Sequence, residues 1–205
     1  MAKLTMTTFV TLDGVMQAPG APQEDTSGGF SHGGWLVPYA DADMGGFVTE
    51  VFERADAFLL GRGTYQIFAG HWPKVTDPAN PIAAKLNQLP KHVVTKTLSE
   101  ASWQNSSIVR DVAPGVSELK RRYTKELQVH GSAGLAQSLL GAQLVDELNL
   151  LVYPIALGQG KRLFEAGVTP SAFKLLASRT TSTGVTILRY ALSGKPGYGS
   201  FALDA

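Results

Sequence analysis

The sequence contains no cysteine and has almost no net charge. Its 205 residues include 18 Lys and Arg against 17 Asp and Glu, which gives a formal net charge of +1. The missing thiols exclude disulfides, thiolate nucleophiles and Cys-ligated metals, and they are compatible with a reducing cytoplasm. The balanced charge lacks the basic footprint needed to wrap nucleic acid or coat an anionic membrane. We therefore expect a small-molecule partner, with no nucleic acid and no membrane.

Long apolar runs are also missing. No stretch approaches the ~20 apolar residues that a membrane helix needs. Residues 1–10 alternate between polar and apolar types, so the sequence predicts no secretory signal. A chain of 205 residues, 44% of them hydrophobic, suits one domain over 1–205. We expect a cytoplasmic protein.

Glycine is abundant, and predicted strands and helices alternate along the chain. The sequence has 22 glycines, which indicates places where the backbone approaches something closely. Apolar spacing predicts a helix over 41–54 and a buried strand over 57–60. Asp77-Pro78 predicts the start of the next helix. A turn at 182–184 between two β-rich segments predicts a closing hairpin. The alternation predicts an α/β protein with a mixed, mostly parallel sheet and an antiparallel edge.

The segment over 12–38 is too long and too rich in Gly and Pro for an idle connection. Loops of this length in a compact domain are usually lids or binding loops. We therefore predict a substrate-side loop, in which Phe30 and Trp35 either contact a flat substrate or anchor the loop on the core.

Three strand ends carry residues suited to binding phosphate, because ligands of open α/β sheets bind where the strands end. The first is Gly61-Arg62-Gly63-Thr64-Tyr65, where a guanidinium accompanies a helix start. The second is Thr95-Lys96-Thr97. The third is the glycine step Gly131-Ser132-Ala133-Gly134, which admits a pyrophosphate close to helix amides. A tight turn, solvated strand-end side chains and helix packing are the respective structural alternatives.

The order of these motifs resembles the dihydrofolate reductase superfamily, especially the branch of the bacterial riboflavin-pathway pyrimidine reductase domain. The match covers nearly the whole chain. Besides the three strand ends, it includes Thr11-Leu12-Asp13-Gly14, Leu144-Val145-Asp146-Glu147-Leu148 and the segment from Pro154 to Phe164. The resemblance implies a three-layer α/β/α fold with an eight-stranded mixed sheet, NADPH as cofactor and a homodimer.

The resemblance also implies roles for individual residues. Arg62 and Thr64 would hold phosphates or the adenosine end, and residues 95–97 would hold the 2′-phosphate region. The pyrophosphate would lie against Gly131, Ser132, Ala133 and Gly134. The riboflavin-pathway enzymes usually have Glu where this chain has His130.

Several further residues are candidates for the reaction itself. We name His130 and Asp13 as catalytic candidates, because the imidazole can donate a proton or hydrogen bond near neutral pH and Asp13 follows the first strand. The expected substrate contacts are Phe30, Trp35 and Trp72. A structural role is the alternative for each of them. No metal site is expected.

Taken together, these observations predict an NADPH-dependent reductase that delivers hydride to a flat heterocycle or a related carbonyl compound. The competing hypothesis is a non-catalytic nucleotide-binding homodimer that keeps the fold. An enzyme that uses a flavin or another nucleotide in the same groove is a third possibility, and the absorbance of the purified protein would reveal a flavin.

Overall fold

The computed structural model describes residues 1–202 and is built around one eight-stranded sheet. In chain order the strands are β1 (Lys3–Thr11), β2 (Ala55–Gly61), β3 (Lys91–Val94), β4 (Ser106–Val109), β5 (Glu126–His130), β6 (Glu147–Tyr153), β7 (Ala172–Thr180) and β8 (Thr186–Gly194). Across the sheet they run β4-β3-β2-β5-β1-β6-β8-β7. The first six pair in parallel, and β8 is antiparallel to both β6 and β7. The predicted mixed sheet and its C-terminal hairpin are confirmed.

Helices cover both faces of this sheet and complete three layers. They are α1 (Ala42–Glu53), α2 (Arg62–His71), α3 (Pro81–Gln88), α4 (Val112–Arg122) and α5 (Ala133–Gly141). On one face, Phe52 of α1 packs in a cluster with Phe58 of β2. On the other face, Leu139 of α5 packs with Leu127 of β5. Burial of apolar side chains on both sides holds the central strands between the two helical layers.

Polar side chains determine where two helices begin. The carboxylate of Asp41 accepts a hydrogen bond from the backbone N–H of Met44, so α1 starts where the sequence predicts it. Helix α3 begins later than predicted, because Asp77 instead accepts from the N–H of Ala79 within a turn. Asn80 caps α3, and Pro81 occupies its first position. The pair that caps and starts the helix is therefore Asn80-Pro81, three residues after the predicted pair Asp77-Pro78.

The long segment over 12–38 is fastened to the body of the protein. Val15 forms an antiparallel bridge with Arg162, and the side chain of Gln17 accepts from the N–H of Lys161 at 3.0 Å. The indole N–H of Trp35 donates to the carbonyl oxygen of Gln17 at 2.8 Å. The segment is therefore held against the body of the protein by contacts to residues far along the chain.

Candidate functional site

A large cavity lies where strands β1, β2, β3 and β5 end. Its volume is about 1080 Å³, at the top of the range usual for small-molecule sites. Its walls include α1, the starts of α2 and α5, and part of the segment over 16–27. This is the sheet edge at which the sequence predicts a ligand.

The glycine step that starts α5 has a strained backbone. Gly131 and Ser132 both have left-handed φ values, +62° and +63°. A non-glycine residue in this region costs free energy of order 1 kcal/mol or more, so surrounding contacts must hold it in place. The hydroxyl of Ser132 supplies them, since it accepts from the N–H of Gly61 at 3.0 Å and donates to Thr64 Oγ1 at 2.8 Å. The sequence motifs at Gly61 and Gly131 therefore form one structure.

Two helix N-termini meet at this point. Helix α2 follows Gly61 and helix α5 follows Ser132, and neither has a side chain capping its first amides. Both starts border the cavity. A Cβ added to Gly134 would meet no atom within 4 Å, so the space above the first turn of α5 is open. Free amides and two converging helix dipoles form a favourable site for an anion.

Positive side chains flank the same end of the cavity. Arg62, Lys96 and Arg110 all border it and are exposed. The guanidinium of Arg62 donates to Thr97 Oγ1 at 3.3 Å, and that of Arg110 donates to the carbonyl oxygen of Thr95 at 3.0 Å. Arg110 is not among the residues predicted from the sequence, although its position directly after β4 was a usable signal.

The two threonines of the Thr95-Lys96-Thr97 motif have different positions. Thr95 borders the cavity, but its hydroxyl oxygen already accepts from the N–H groups of Thr97 and Leu98 at 3.2 and 3.1 Å. Thr97 is not part of the lining and instead contacts Arg62. All the other predicted cofactor residues border the cavity.

The opposite part of the cavity is apolar. Val48 and Phe52 of α1 line it together with Phe68, Trp72 and Ile82. Phe68 and Trp72 stand edge to face with ring centroids 6.2 Å apart. Rigid aromatic and branched side chains of this kind suit a flat, uncharged ligand.

His130 lines the cavity floor as a neutral ring. Burial lowers its pKa to about 3, and the ring stacks on Phe52 with centroids 4.4 Å apart. Its Nε2 lies 3.1 Å from Gln128 Oε1, which can only accept a hydrogen bond. The N–H of the neutral ring is therefore engaged, and this geometry contradicts the proton-donor role considered for His130.

Asp13 lies outside the cavity lining and joins two loops. Its carboxylate accepts from the hydroxyl of Thr11 at 2.6 Å and from the backbone N–H groups of Leu157 and Gly158 at 3.1 and 2.8 Å. These hydrogen bonds, the one from Thr11 above all, hold the pKa of Asp13 well below its usual range. Arg162 adds an ion pair at 3.3 Å. The catalytic role considered for Asp13 is therefore replaced by a structural one.

Of the three predicted substrate contacts, one borders the cavity. Trp72 is in the lining, whereas Phe30 and Trp35 are 5% exposed and pack in the core. The ring of Trp35 stands edge to face against Tyr153 with centroids 5.2 Å apart. The two loop aromatics thus take the alternative role considered for them, as packing anchors, and neither borders the cavity.

Two carboxylates from the long segment also border the cavity, and neither was predicted from the sequence. Asp25 forms an ion pair with Lys161, which helps to lower its pKa. Glu24 has no cationic partner within residues 1–202, and burial raises its pKa even though its carboxylate accepts from the N–H groups of Gly20 and Ala21. No local motif distinguishes Glu24 from any other loop carboxylate.

Two kinds of feature are not found in the part of the chain that the structure describes. Within residues 1–202, no cluster of three or more His, Asp or Glu side chains has a geometry that could hold a metal ion. Within the same residues, no helix is both long and apolar enough to span a bilayer.

The sheet order and the cavity at the strand ends define the dihydrofolate reductase-like class of fold. The dihydrofolate reductase of Enterococcus faecalis, in a structure with NADP(H), has a TM-score of 0.59 at 12% identity, covering 93% of this chain and 96% of that one. More specifically, the chain belongs to the family described as the RibD C-terminal domain, whose model matches residues 2–187. The family resemblance inferred from the motifs is confirmed.

Two further proteins are similar over nearly their whole length. The protein YyaP of Bacillus subtilis (strain 168), which is uncharacterized, is 28% identical over 187 residues, covering 90% of this chain and 92% of YyaP. A candidate riboflavin biosynthesis protein from Shewanella sp. PV-4 has a TM-score of 0.71 at 22% identity, covering 94% of this chain and 99% of that one. These comparisons support a reductase-like fold.

Proposed function

We propose that this protein is an NADPH-dependent reductase that transfers hydride to a flat heterocycle or a related carbonyl compound. One observation carries the proposal: two uncapped helix starts and three cationic side chains converge on one end of a cavity whose other end is apolar and aromatic. A ligand that fits both ends has phosphate groups at one end and a flat ring at the other.

The residues present fit a phosphorylated dinucleotide. Gly134 and the other amides of the first turn of α5 would hold the pyrophosphate, with Ser132 keeping that turn in place. Arg62, Lys96 and Arg110 would hold the 2′-phosphate that distinguishes NADPH from NADH. Guanidinium groups bind phosphate through two parallel hydrogen bonds, and the lysine ammonium adds a third positive charge. The cofactor supplies the hydride, and the protein orients it and excludes water. The Enterococcus faecalis dihydrofolate reductase, which has a similar fold, is complexed with NADP(H) in its structure, and this supports a nicotinamide dinucleotide as the ligand.

Glu24 is our candidate for the group that supplies a proton. It borders the cavity and has no cationic partner within residues 1–202, and burial raises its pKa. A carboxyl group at the cavity wall can hand a proton to a bound substrate. We expect Glu24→Gln to lower kcat at least tenfold and to remove the decline of kcat with rising pH that we expect of the wild type. Asp25→Asn is the matched control. A Glu24→Gln variant that keeps the wild-type pH profile would contradict the assignment.

Turnover tests the proposal directly. The purified protein is incubated with NADPH deuterated at C4 and a panel of pterins, pyrimidines and carbonyl compounds, and the products are analysed by mass spectrometry. We expect deuterium in one class of product. Cofactor binding without any turnover would support the alternative, a non-catalytic nucleotide-binding homodimer, over the reductase.

A further inference from the structure

Beneath the apolar end of the cavity, the sheet carries a row of buried polar side chains. Glu126, Gln128 and His130 are alternate residues of β5 and face α1, and each is at most 8% exposed. Because successive side chains of a strand point to opposite faces, every second residue lies on the same face. Thr7 of β1 is the register partner of His130 and is 3% exposed. Thr7 and His130 both border the cavity, so this row ends at its floor.

Gln128 can adopt only one orientation of its amide. Its Nε2 lies 2.6 Å from the carbonyl oxygen of Val51 and 2.7 Å from Glu126 Oε2, and both of these atoms accept hydrogen bonds. The opposite orientation would place oxygen against oxygen at both contacts. The acceptor Oε1 therefore faces His130 Nε2, and that nitrogen must carry the ring proton.

The second nitrogen of His130 is consequently an acceptor. In a neutral imidazole one nitrogen donates and the other accepts. Within residues 1–202, His130 Nδ1 has no hydrogen-bond donor, and the ring borders the cavity. The hydrogen-bonded row from His130 through Gln128 ends at the carboxylate of Glu126. That carboxylate accepts from Arg54 Nε at 2.7 Å and from the hydroxyl of Thr5. Burial thus holds the ring neutral, and the polar row fixes its tautomer.

Thr7 offers the complementary group. Its Oγ1 accepts from Asn149 Nδ2 at 3.0 Å, which leaves the hydroxyl proton available for donation. Asn149 is 1% exposed, and its own Oδ1 is buried without a partner among the described residues. Because Thr7 and His130 are paired on adjacent parallel strands, their side chains lie side by side, about 5 Å apart.

We propose that Thr7 and His130 read the lactam edge of a flat heterocyclic substrate, with the substrate N–H donating to His130 Nδ1 and its C=O accepting from the Thr7 hydroxyl. Gln128 is the positioning residue, because it fixes the tautomer that makes Nδ1 an acceptor. The assignment rests on the proposed function only for the idea that a flat ring occupies this end of the cavity.

The tautomer is measured first, by NMR of protein labelled with ¹⁵N-histidine. The chain has four histidines, and His130→Asn identifies the signals of His130. We expect a protonated Nε2 and an unprotonated Nδ1 from pH 5 to pH 9, and an Nδ1-protonated population in Gln128→Met. A charged ring, or a protonated Nδ1 in the wild type, overturns the proposal. This measurement needs no cofactor and no turnover, so it stands apart from the reductase assignment.

Recognition is measured with two probes that differ in one hydrogen-bond donor. Quinazolin-4(3H)-one has a single lactam edge, and its 3-methyl derivative lacks the N–H. We expect the wild type to prefer the N–H probe about tenfold, the ratio that about 1.4 kcal/mol for one buried hydrogen bond gives. His130→Asn, whose side-chain oxygen can take the place of Nδ1, should keep the preference. His130→Gln should lose it. Equal affinity of the wild type for both probes, or binding of neither, overturns the proposal.

Discussion

A carboxylate placed at Gly134 should stabilise the fold and weaken cofactor binding at the same time. Gly134 is the second residue of α5, is exposed, and leaves open space where a Cβ would stand. Replacing glycine inside a helix and adding a negative charge in its first turn are each favourable by some tenths of a kcal/mol. We expect Gly134→Asp to raise the free energy of unfolding by about 0.5–1.5 kcal/mol, a rise in Tm of roughly 1–6 °C for a domain of this size.

The effect on NADPH should have the opposite sign. A carboxylate about 5 Å from a phosphate charge repels it by between about 1 and 3 kcal/mol, depending on how much solvent screens the pair. The Kd for NADPH should therefore rise about 10- to 100-fold. Calorimetric titration gives the Kd, and a thermal scan without ligand gives the stability. Gly134→Asn is the matched control, since it has the same shape without the charge. Equal Kd values for the Asp and Asn variants would refute this reasoning.

Three further predictions concern charge, burial and assembly. Arg62→Ala should weaken NADPH binding about tenfold with little change for NADH, whereas the exposed Arg121→Ala on α4 should change neither, and equal losses for both nucleotides would exclude a 2′-phosphate contact. Lys91 is fully buried, and burial lowers its pKa to about 8. The unfolded state therefore binds more protons than the folded state between pH ~8 and ~10.5. Urea unfolding should show the free energy of unfolding rising by about 2–3 kcal/mol over this range. Lys91→Met should remove that rise, and parallel pH profiles for the two proteins would contradict it. The homodimer stays a prediction, and Leu175, which is 50% exposed on the edge strand β7, is our candidate contact. Leu175→Lys should shift the mass measured by light scattering from that of a dimer to that of a monomer. A wild type that is already monomeric would overturn the prediction.

Local backbone rules account for what could be predicted of the site. The glycine steps at Gly61 and Gly131 and the cation Arg62 follow strands directly, so the strand-end rule alone brings them to one edge. The sequence could not show that the Ser132 hydroxyl joins the two steps, because that contact spans 71 positions. Arg110 directly follows β4 and satisfies the same rule.

The long segment over 12–38 shows where sequence reasoning fails. Composition alone makes Phe30 and Trp35 equally good as substrate contacts and as anchors, and only packing against residues such as Tyr153 decides between them. Asp13 follows a strand like a catalytic residue, but the two backbone N–H groups that it binds in the other loop lie about 145 positions away. Glu24 and Thr7 have no local signal, since their roles depend on which residues of other elements surround them.

The central claim is that a phosphorylated nicotinamide dinucleotide binds at the converging starts of α2 and α5. Its most direct test is a thermal-stability titration of the purified protein with NADPH and NADH, because a ligand that binds only the folded state must raise Tm as its concentration rises. We predict a concentration-dependent rise with NADPH, a smaller one with NADH, and a smaller NADPH effect in Gly134→Asp than in the wild type. No rise in Tm with millimolar NADPH would contradict the claim.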